Sequence, residues 1–182
     1  IVPSAVSVTT PRLIVEPTAT MTFENNASLI QTEDLDQNSG EITIKRNTLV
    51  NRLDYVYWSS PVAGQNLHDF SPLTTVNRFY QLDEQANAFA AVDPMANDFI
   101  PAQGYMVRAP NTYQDYPAAK QLFTGVFTGE PNSGNITVST TKFGNGFNMI
   151  GNPYPSPVSA ELFFNENADV NAIHFWAHQT LA

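Results

Sequence analysis

The residues best suited to bind a ligand are three aromatic side chains in the segment "DYVYWSSP", residues 54–61. Exposed aromatic rings stack on the apolar faces of sugars, so Tyr55, Tyr57 and Trp58 are candidate carbohydrate-binding residues. In a strand, alternate side chains share a face, which places Tyr55 and Tyr57 on one side and Val56 and Trp58 on the other. Because Val56 is apolar, we expect Trp58 to pack in the core and the two tyrosines to lie at the surface.

A second candidate is a calcium loop in "DLDQNSGE", residues 34–41. Asp34, Asp36 and Asn38 supply oxygen at alternate positions, as calcium-binding loops do. However, Ser39 and Lys45 stand where an EF-type loop has its glycine and its final glutamate. The same N-S-G-x-I-T-[IV] pattern also recurs at 132–138 without the aspartates, which favours a repeated turn that needs no metal. Calcium is the one cofactor that the sequence leaves open.

No catalytic residue is predicted. His174 and His178 lack the intervening glutamate of a zinc protease, and on a strand they would stand about 13 Å apart, too far to bind one ion. No dinucleotide loop, phosphate loop or nucleophile elbow occurs. The carboxylates are numerous enough to include a glycosidase pair, but sequence cannot show the distance between two carboxylates that such a pair requires.

Proline and glycine dominate the segment "GNPYPSP", residues 151–157, which follows the strand-like "FNMI". Gly151 and Asn152 are residues that adopt positive φ, while Pro153, Pro155 and Pro157 cannot continue a ladder of hydrogen bonds. We interpret Ser156 as the N-cap of one short helix near 157–165, with Pro157 at its first position. These residues therefore predict a structural corner rather than an active-site loop.

The elements that must position these residues are mainly strands. Alternation of period two appears at Met21 and Phe23, at Ile42 and Ile44, and at Ile136 and Val138. Further predicted strands are Arg12–Glu16, Ala27–Gln31, Asp54–Trp58, Arg78–Leu82, Gly104–Ala109, Gln121–Thr128, Phe147–Ile150 and Ile173–Trp176. Short strands separated by Asn- and Gly-rich turns predict an all-β fold, an antiparallel β-sandwich or jelly roll.

We expect a single β-rich domain over residues 1–182, with an alternative boundary near 46–54. The net charge of −9 disfavours binding to nucleic acid or anionic lipid. The chain has no cysteine and no apolar run long enough to span a membrane. It begins without methionine and stops just after a strand-like segment, so we expect it to be a fragment of a longer protein.

An ordered set of motifs carries a family resemblance: "YVYWSSPV" (55–62), "GYMVRAP" (104–110), "MIGNPYPSP" (149–157) and "AIHFW" (172–176). Together with the "ASLIQ…NSGEITIKRN" block (27–47), they resemble a β-rich module of large secreted and surface-anchored proteins of Bacteroidota. Such proteins are exported by the type IX secretion system, and the module precedes their C-terminal sorting domain. The resemblance implies a secreted or cell-surface location, and the type IX machinery as a partner during export.

Three functions remain open at this point. The first is a non-catalytic structural or adhesin-type module that contacts glycans or surface proteins. The second is a carbohydrate-binding module that uses Tyr55, Tyr57 and Trp58. The third is a non-catalytic part of a secreted hydrolase.

Overall fold

The structure is a computed structural model that describes residues 1–176. Within these residues the chain is β-rich, with nine strands, two short α-helices and one 3-10 turn. The strands are β1 (Ser7–Thr10), β2 (Thr22–Phe23), β3 (Ser28–Gln31), β4 (Ile42–Val50), β5 (Tyr55–Trp58), β6 (Phe79–Asp83), β7 (Ala88–Ala91), β8 (Tyr105–Arg108) and β9 (Gln121–Gly129). The helices are α1 (Leu67–Phe70) and α2 (Ala160–Glu166), and the 3-10 turn is Val76–Arg78.

The strands form three sheets. A four-stranded sheet has the order β5-β8-β6-β7, a three-stranded sheet has the order β2-β4-β9, and β1 pairs with β3. The four-stranded sheet and the β4–β9 pair are antiparallel. The β1–β3 and β2–β4 pairs are parallel, so the pairing is not antiparallel throughout. Parallel pairing depends on crossover connections, and local alternation does not reveal these.

The longest pairing joins β4 to β9, from Ile42 opposite Gly129 to Val50 opposite Gln121. Ile42 and Ile44 are buried, as their alternation predicts. The alternative domain boundary near 46–54 begins inside β4. The β4–β9 pairing therefore connects residues before that boundary to residues after it.

One hydrophobic core collects side chains from the sheets and from α1. Ile44 and Phe127 come from the β4–β9 pair, while Phe79 and Tyr105 come from the four-stranded sheet. Phe70 of α1 stacks on Phe127, with ring centroids 4.6 Å apart. Each large aromatic ring buries about 150–250 Å², so this cluster contributes strongly to the stability of the fold.

Several predicted strands do not form in the structure of residues 1–176. Residues 136–138 and 173–176 are not paired as strands, Ile150 makes only an isolated bridge to Gln103, and Ile14 makes only an isolated bridge to Ser39. Alternating side chains are necessary for a half-buried strand, but a strand also needs a partner edge, which alternation does not supply.

The proline-rich corner departs from its prediction in detail. Gly151 does not have positive φ; it is needed because a Cβ there would lie 2.2 Å from Cβ of Ser59. Asn152 accepts a hydrogen bond from the Tyr154 N–H and donates one to the Ser156 carbonyl, which closes the corner. The helix begins later than predicted, at Ala160, because Ser159 rather than Ser156 is its N-cap.

Candidate functional site

The four-stranded sheet presents an aromatic surface on the side away from the core. Tyr55 and Tyr57 of β5, Tyr80 of β6 and Phe89 of β7 share this side of the sheet, because paired residues of antiparallel strands point the same way. Trp176 stacks against it from the C-terminal segment. We call these five residues the outer aromatic face.

Three rings of the outer aromatic face form a continuous row. Tyr57 lies between Phe89, 6.0 Å away between centroids, and Trp176, 5.7 Å away. The Tyr57 and Trp176 rings are nearly parallel, with an interplanar angle of 17°. Trp176 is 55% exposed, Phe89 41% and Tyr57 36%, so each ring retains surface that a ligand can reach.

Polar groups border this row of rings. The hydroxyl of Tyr80 donates to the carbonyl of Asn77, and Arg78 donates to that hydroxyl at 3.3 Å. Tyr55 meets Tyr80 edge to face. A tyrosine hydroxyl is neutral at physiological pH and can donate a hydrogen bond as well as accept one. Burial raises the pKa of the Tyr57 hydroxyl further.

Trp58 points the other way, into the core side of the sheet. Its ring meets Phe70 at 5.1 Å and Phe123 at 5.7 Å. Tyr55 and Tyr57 therefore belong to the outer aromatic face, whereas Trp58 packs on the core side of the sheet.

A small cavity opens beside Trp58, at the rim of the core. Its volume is about 360 Å³. The residues that line it include Arg46 of β4, Trp58, and Asn152, Tyr154 and Ser156 of the proline-rich corner. We call this cavity the Arg46 pocket. Residues of the proline-rich corner therefore also line a pocket.

Two of the three proposed calcium ligands, Asn38 and Asp34, accept hydrogen bonds from other residues of the chain. Asn38 is buried, and its side-chain oxygen accepts hydrogen bonds from Leu13 N–H and from Gln31. Both of its acceptor positions are therefore in use. Asp34 accepts a hydrogen bond from Asn135, and residues 1–176 contain no cluster of three acidic or histidine side chains able to hold a metal. A calcium site here stays a prediction.

The two N-S-G turns share two structural features. Gly40 and Gly134 both have positive φ, at 82° and 74°. Asn38 and Asn132 are both buried, and each donates from its side-chain amide to a proline carbonyl, Asn38 to that of Pro131 and Asn132 to that of Pro153. The shared pattern therefore marks a turn whose asparagine is tied to a distant segment.

Other groups with potential chemistry have local partners. Asp54 is buried, accepts a hydrogen bond from Asn51 N–H and lies 3.6 Å from Lys120. His174 meets Phe147 edge to face and lines an open cleft of about 740 Å³ between residues 140–150 and 168–174. His178 lies outside the described residues.

Sequence reasoning missed Tyr80 and Phe89 on the outer aromatic face and Arg46 in the pocket. Tyr80 shares one face of its strand with the apolar Leu82, and Phe89 is the one large residue in a strand of alanines. Neither residue therefore stood out as a surface aromatic. Arg46 did leave a signal: it falls two positions after Ile44, on the core-facing side of β4.

The chain belongs to a family described as a domain of unknown function (DUF8693), which matches residues 2–182. No curated protein and no solved structure matches the chain. Among the helices of residues 1–176, none is both long and apolar enough to cross a membrane.

Proposed function

We propose that this chain is a non-catalytic, adhesin-type module that contacts glycans through the outer aromatic face. The observation that carries the proposal is the row formed by Phe89, Tyr57 and Trp176 on the exposed side of a four-stranded sheet. Surface rings with adjacent hydrogen-bonding groups suit the alternating apolar and hydroxylated faces of a sugar. A rigid sheet also holds them in place, which limits the entropy lost on binding.

The proposed parent is a secreted or cell-surface protein of the type IX kind. The ordered motifs at 55–62, 104–110 and 149–157 support it, as does a composition with only 14% charged residues and no cysteine. We also propose that the four-stranded sheet and the β4–β9 sheet form a sandwich. Contacts of Trp58 with Phe123 and Phe127 across the core support that arrangement.

The favoured ligands are neutral glycans, because a net charge of −9 repels polyanionic ones. The geometry favours stacking on Trp176 from the solvent side, since Trp176 covers one side of the Tyr57 ring. Trp176 is therefore expected to contribute as much to binding as Tyr57, which positions it.

The test is a glycan-array screen of the purified chain, followed by titration of the best neutral glycan. Tyr57→Ala and Trp176→Ala should each weaken binding by about tenfold or more, the equivalent of about 1.4 kcal/mol. Tyr116→Ala is the matched control, because Tyr116 is an exposed tyrosine outside the outer aromatic face. Binding that survives both substitutions, or a blank array from folded protein, would reject the proposal.

A further inference from the structure

The Arg46 pocket contains a cation on a side of β4 that otherwise faces the core. Ile42, Ile44 and Arg46 occupy successive positions on one side of the strand, and the two isoleucines are fully buried. Arg46 lies opposite Gly125 of β9, and the space left by that glycine is bordered by Trp58 and Phe70. The guanidinium therefore sits at the rim of an aromatic core.

This cation has no anionic partner among residues 1–176. Arg46 donates hydrogen bonds to two main-chain oxygens, those of Lys45 at 2.8 Å and Ala27 at 3.0 Å. Glu24, the acid directly after the neighbouring strand β2, is instead paired with Lys45 at 2.8 Å. Burial lowers the pKa of Arg46, which reflects the loss of hydration of its charge. A half-buried charge without a counter-ion is costly, and proteins normally pair it.

The rest of the pocket offers groups that recognise a sugar. Its lining includes two aromatic residues, Trp58 and Tyr154, and two amide residues, Asn26 and Asn152. Ser59 also lines the pocket, and within residues 1–176 its buried hydroxyl oxygen has no hydrogen-bond partner. Unpaired buried polar atoms are uncommon in folded proteins, so this one marks the pocket wall as unusual.

We propose that the Arg46 pocket binds a carboxylate-bearing monosaccharide unit, of the hexuronic acid type. Arg46 would hold the carboxylate, since guanidinium matches carboxylate geometry with two parallel donors. The aromatic side chains would flank the sugar ring, and the volume of about 360 Å³ falls within the usual range for small-molecule sites, about 300–1,000 Å³. A single carboxylate also suits an acidic protein better than a polyanion does.

This site is separate from the outer aromatic face and is tested separately. The chain has two tryptophans, one beside each site, so Trp176→Phe leaves Trp58 as the only indole. Sodium glucuronate titrated into Trp176→Phe protein should produce a saturable change in Trp58 fluorescence. Glucose, which has the same ring without the carboxylate, should bind at least about tenfold more weakly, and so should acetate.

Arg46→Gln, made in the Trp176→Phe background, should weaken glucuronate binding by about tenfold or more. Arg52→Gln in the same background is the matched control, because Arg52 is paired with Asp115 elsewhere on the surface. The unsubstituted chain gives a readout that needs no variant: glucuronate should shift the NMR signals of the Arg46 Nε–H and the Trp58 indole N–H.

Three results would overturn the proposal. They are the absence of any shift at these two N–H groups, equal glucuronate binding by Arg46→Gln, and binding of inorganic phosphate as tight as that of glucuronate. Binding of neutral glycans at the outer aromatic face, followed in Trp58→Phe protein through Trp176, can succeed or fail independently of all three.

Discussion

The side-chain amide of Asn38 donates a 2.7 Å hydrogen bond to the main-chain oxygen of Pro131, joining positions 93 residues apart. The same amide exchanges hydrogen bonds with Gln31 and accepts one from Leu13 N–H. Asn38 is therefore the centre of a buried polar network that connects the N-terminal strands to the segment after β9. Such networks specify one arrangement when every member has a partner.

Asn38→Ala should destabilise the fold by about 2–4 kcal/mol, because it leaves buried partners without hydrogen bonds. The measurement is urea denaturation followed by circular dichroism, performed with calcium and with EDTA. We expect the same loss in both, since the Asn38 oxygen is already occupied. Asn135→Ala is the control and should cost less than about 1 kcal/mol, because Asn135 is exposed. A loss seen only with calcium present would instead favour the metal site at 34–41.

Gly40→Ala should destabilise the fold more than Gly64→Ala. Both glycines have positive φ, which costs alanine about 1–2 kcal/mol. At Gly40 a Cβ would also lie 2.0 Å from the Val15 carbonyl oxygen, whereas at Gly64 nothing lies within 4 Å. We expect about 2–5 kcal/mol for Gly40→Ala in thermal or urea unfolding. Equal losses at the two positions would show that the close approach of residues 15 and 40 is not maintained in solution.

The two tryptophans should differ sharply in their effect on stability. Trp58 packs against Phe70 and Phe123, so Trp58→Ala should cost about 3–5 kcal/mol. Trp176 stacks on Tyr57 at the surface, and Trp176→Ala should cost less than about 1 kcal/mol. Urea denaturation of the two variants side by side measures the difference. Similar losses would contradict the assignment of Trp58 to the core and Trp176 to the outer aromatic face.

The Arg52 guanidinium, hydrogen-bonded to Asp115 at 2.6 and 2.8 Å, lowers the pKa of that carboxyl. The ionised form is favoured in the fold, so its contribution to stability is present above the ordinary carboxyl pKa of about 3.9. That contribution is lost as the pH falls through the lower folded value. NMR titration should show the Asp115 pKa rising in Arg52→Gln and unchanged in Arg46→Gln. An unchanged value in Arg52→Gln would mean that the pair does not persist in solution.

Local pattern predicted the side-chain directions of this protein better than it predicted pairing. Ile42 and Ile44 face the core and Tyr57 faces solvent, as alternation requires, because side-chain direction in a strand depends only on position parity. The parallel β1–β3 and β2–β4 pairs escaped prediction. These pairs depend on which other strand lies beside each strand, and the local alternation of side chains does not show that.

For the candidate sites, too, local sequence predicted the direction of single residues but not which residues come together. Tyr57 could be placed at the surface from its own strand, but Phe89 and Trp176 join it only through tertiary contacts. The corner at 151–157 was recognised from its prolines, yet its role as a pocket wall depends on the position of β4, which is distant in sequence. Arg46 lies on the core-facing side of β4, where the alternation calls for an apolar residue, and the Arg46 pocket accommodates it there.

The β4–β9 pairing also bears on the order in which the chain can fold. The whole four-stranded sheet lies between these two strands in the sequence. The residues just before this sheet contact those just after it. The Arg52 N–H donates to the Gln114 carbonyl, and the Asn51 side-chain amide donates to the Ala118 carbonyl. If the four-stranded sheet forms first, it brings Val50 and Gln121 together and lowers the entropic cost of closing the loop between β4 and β9. The four-stranded sheet would then act as the nucleus on which β4 and β9 assemble.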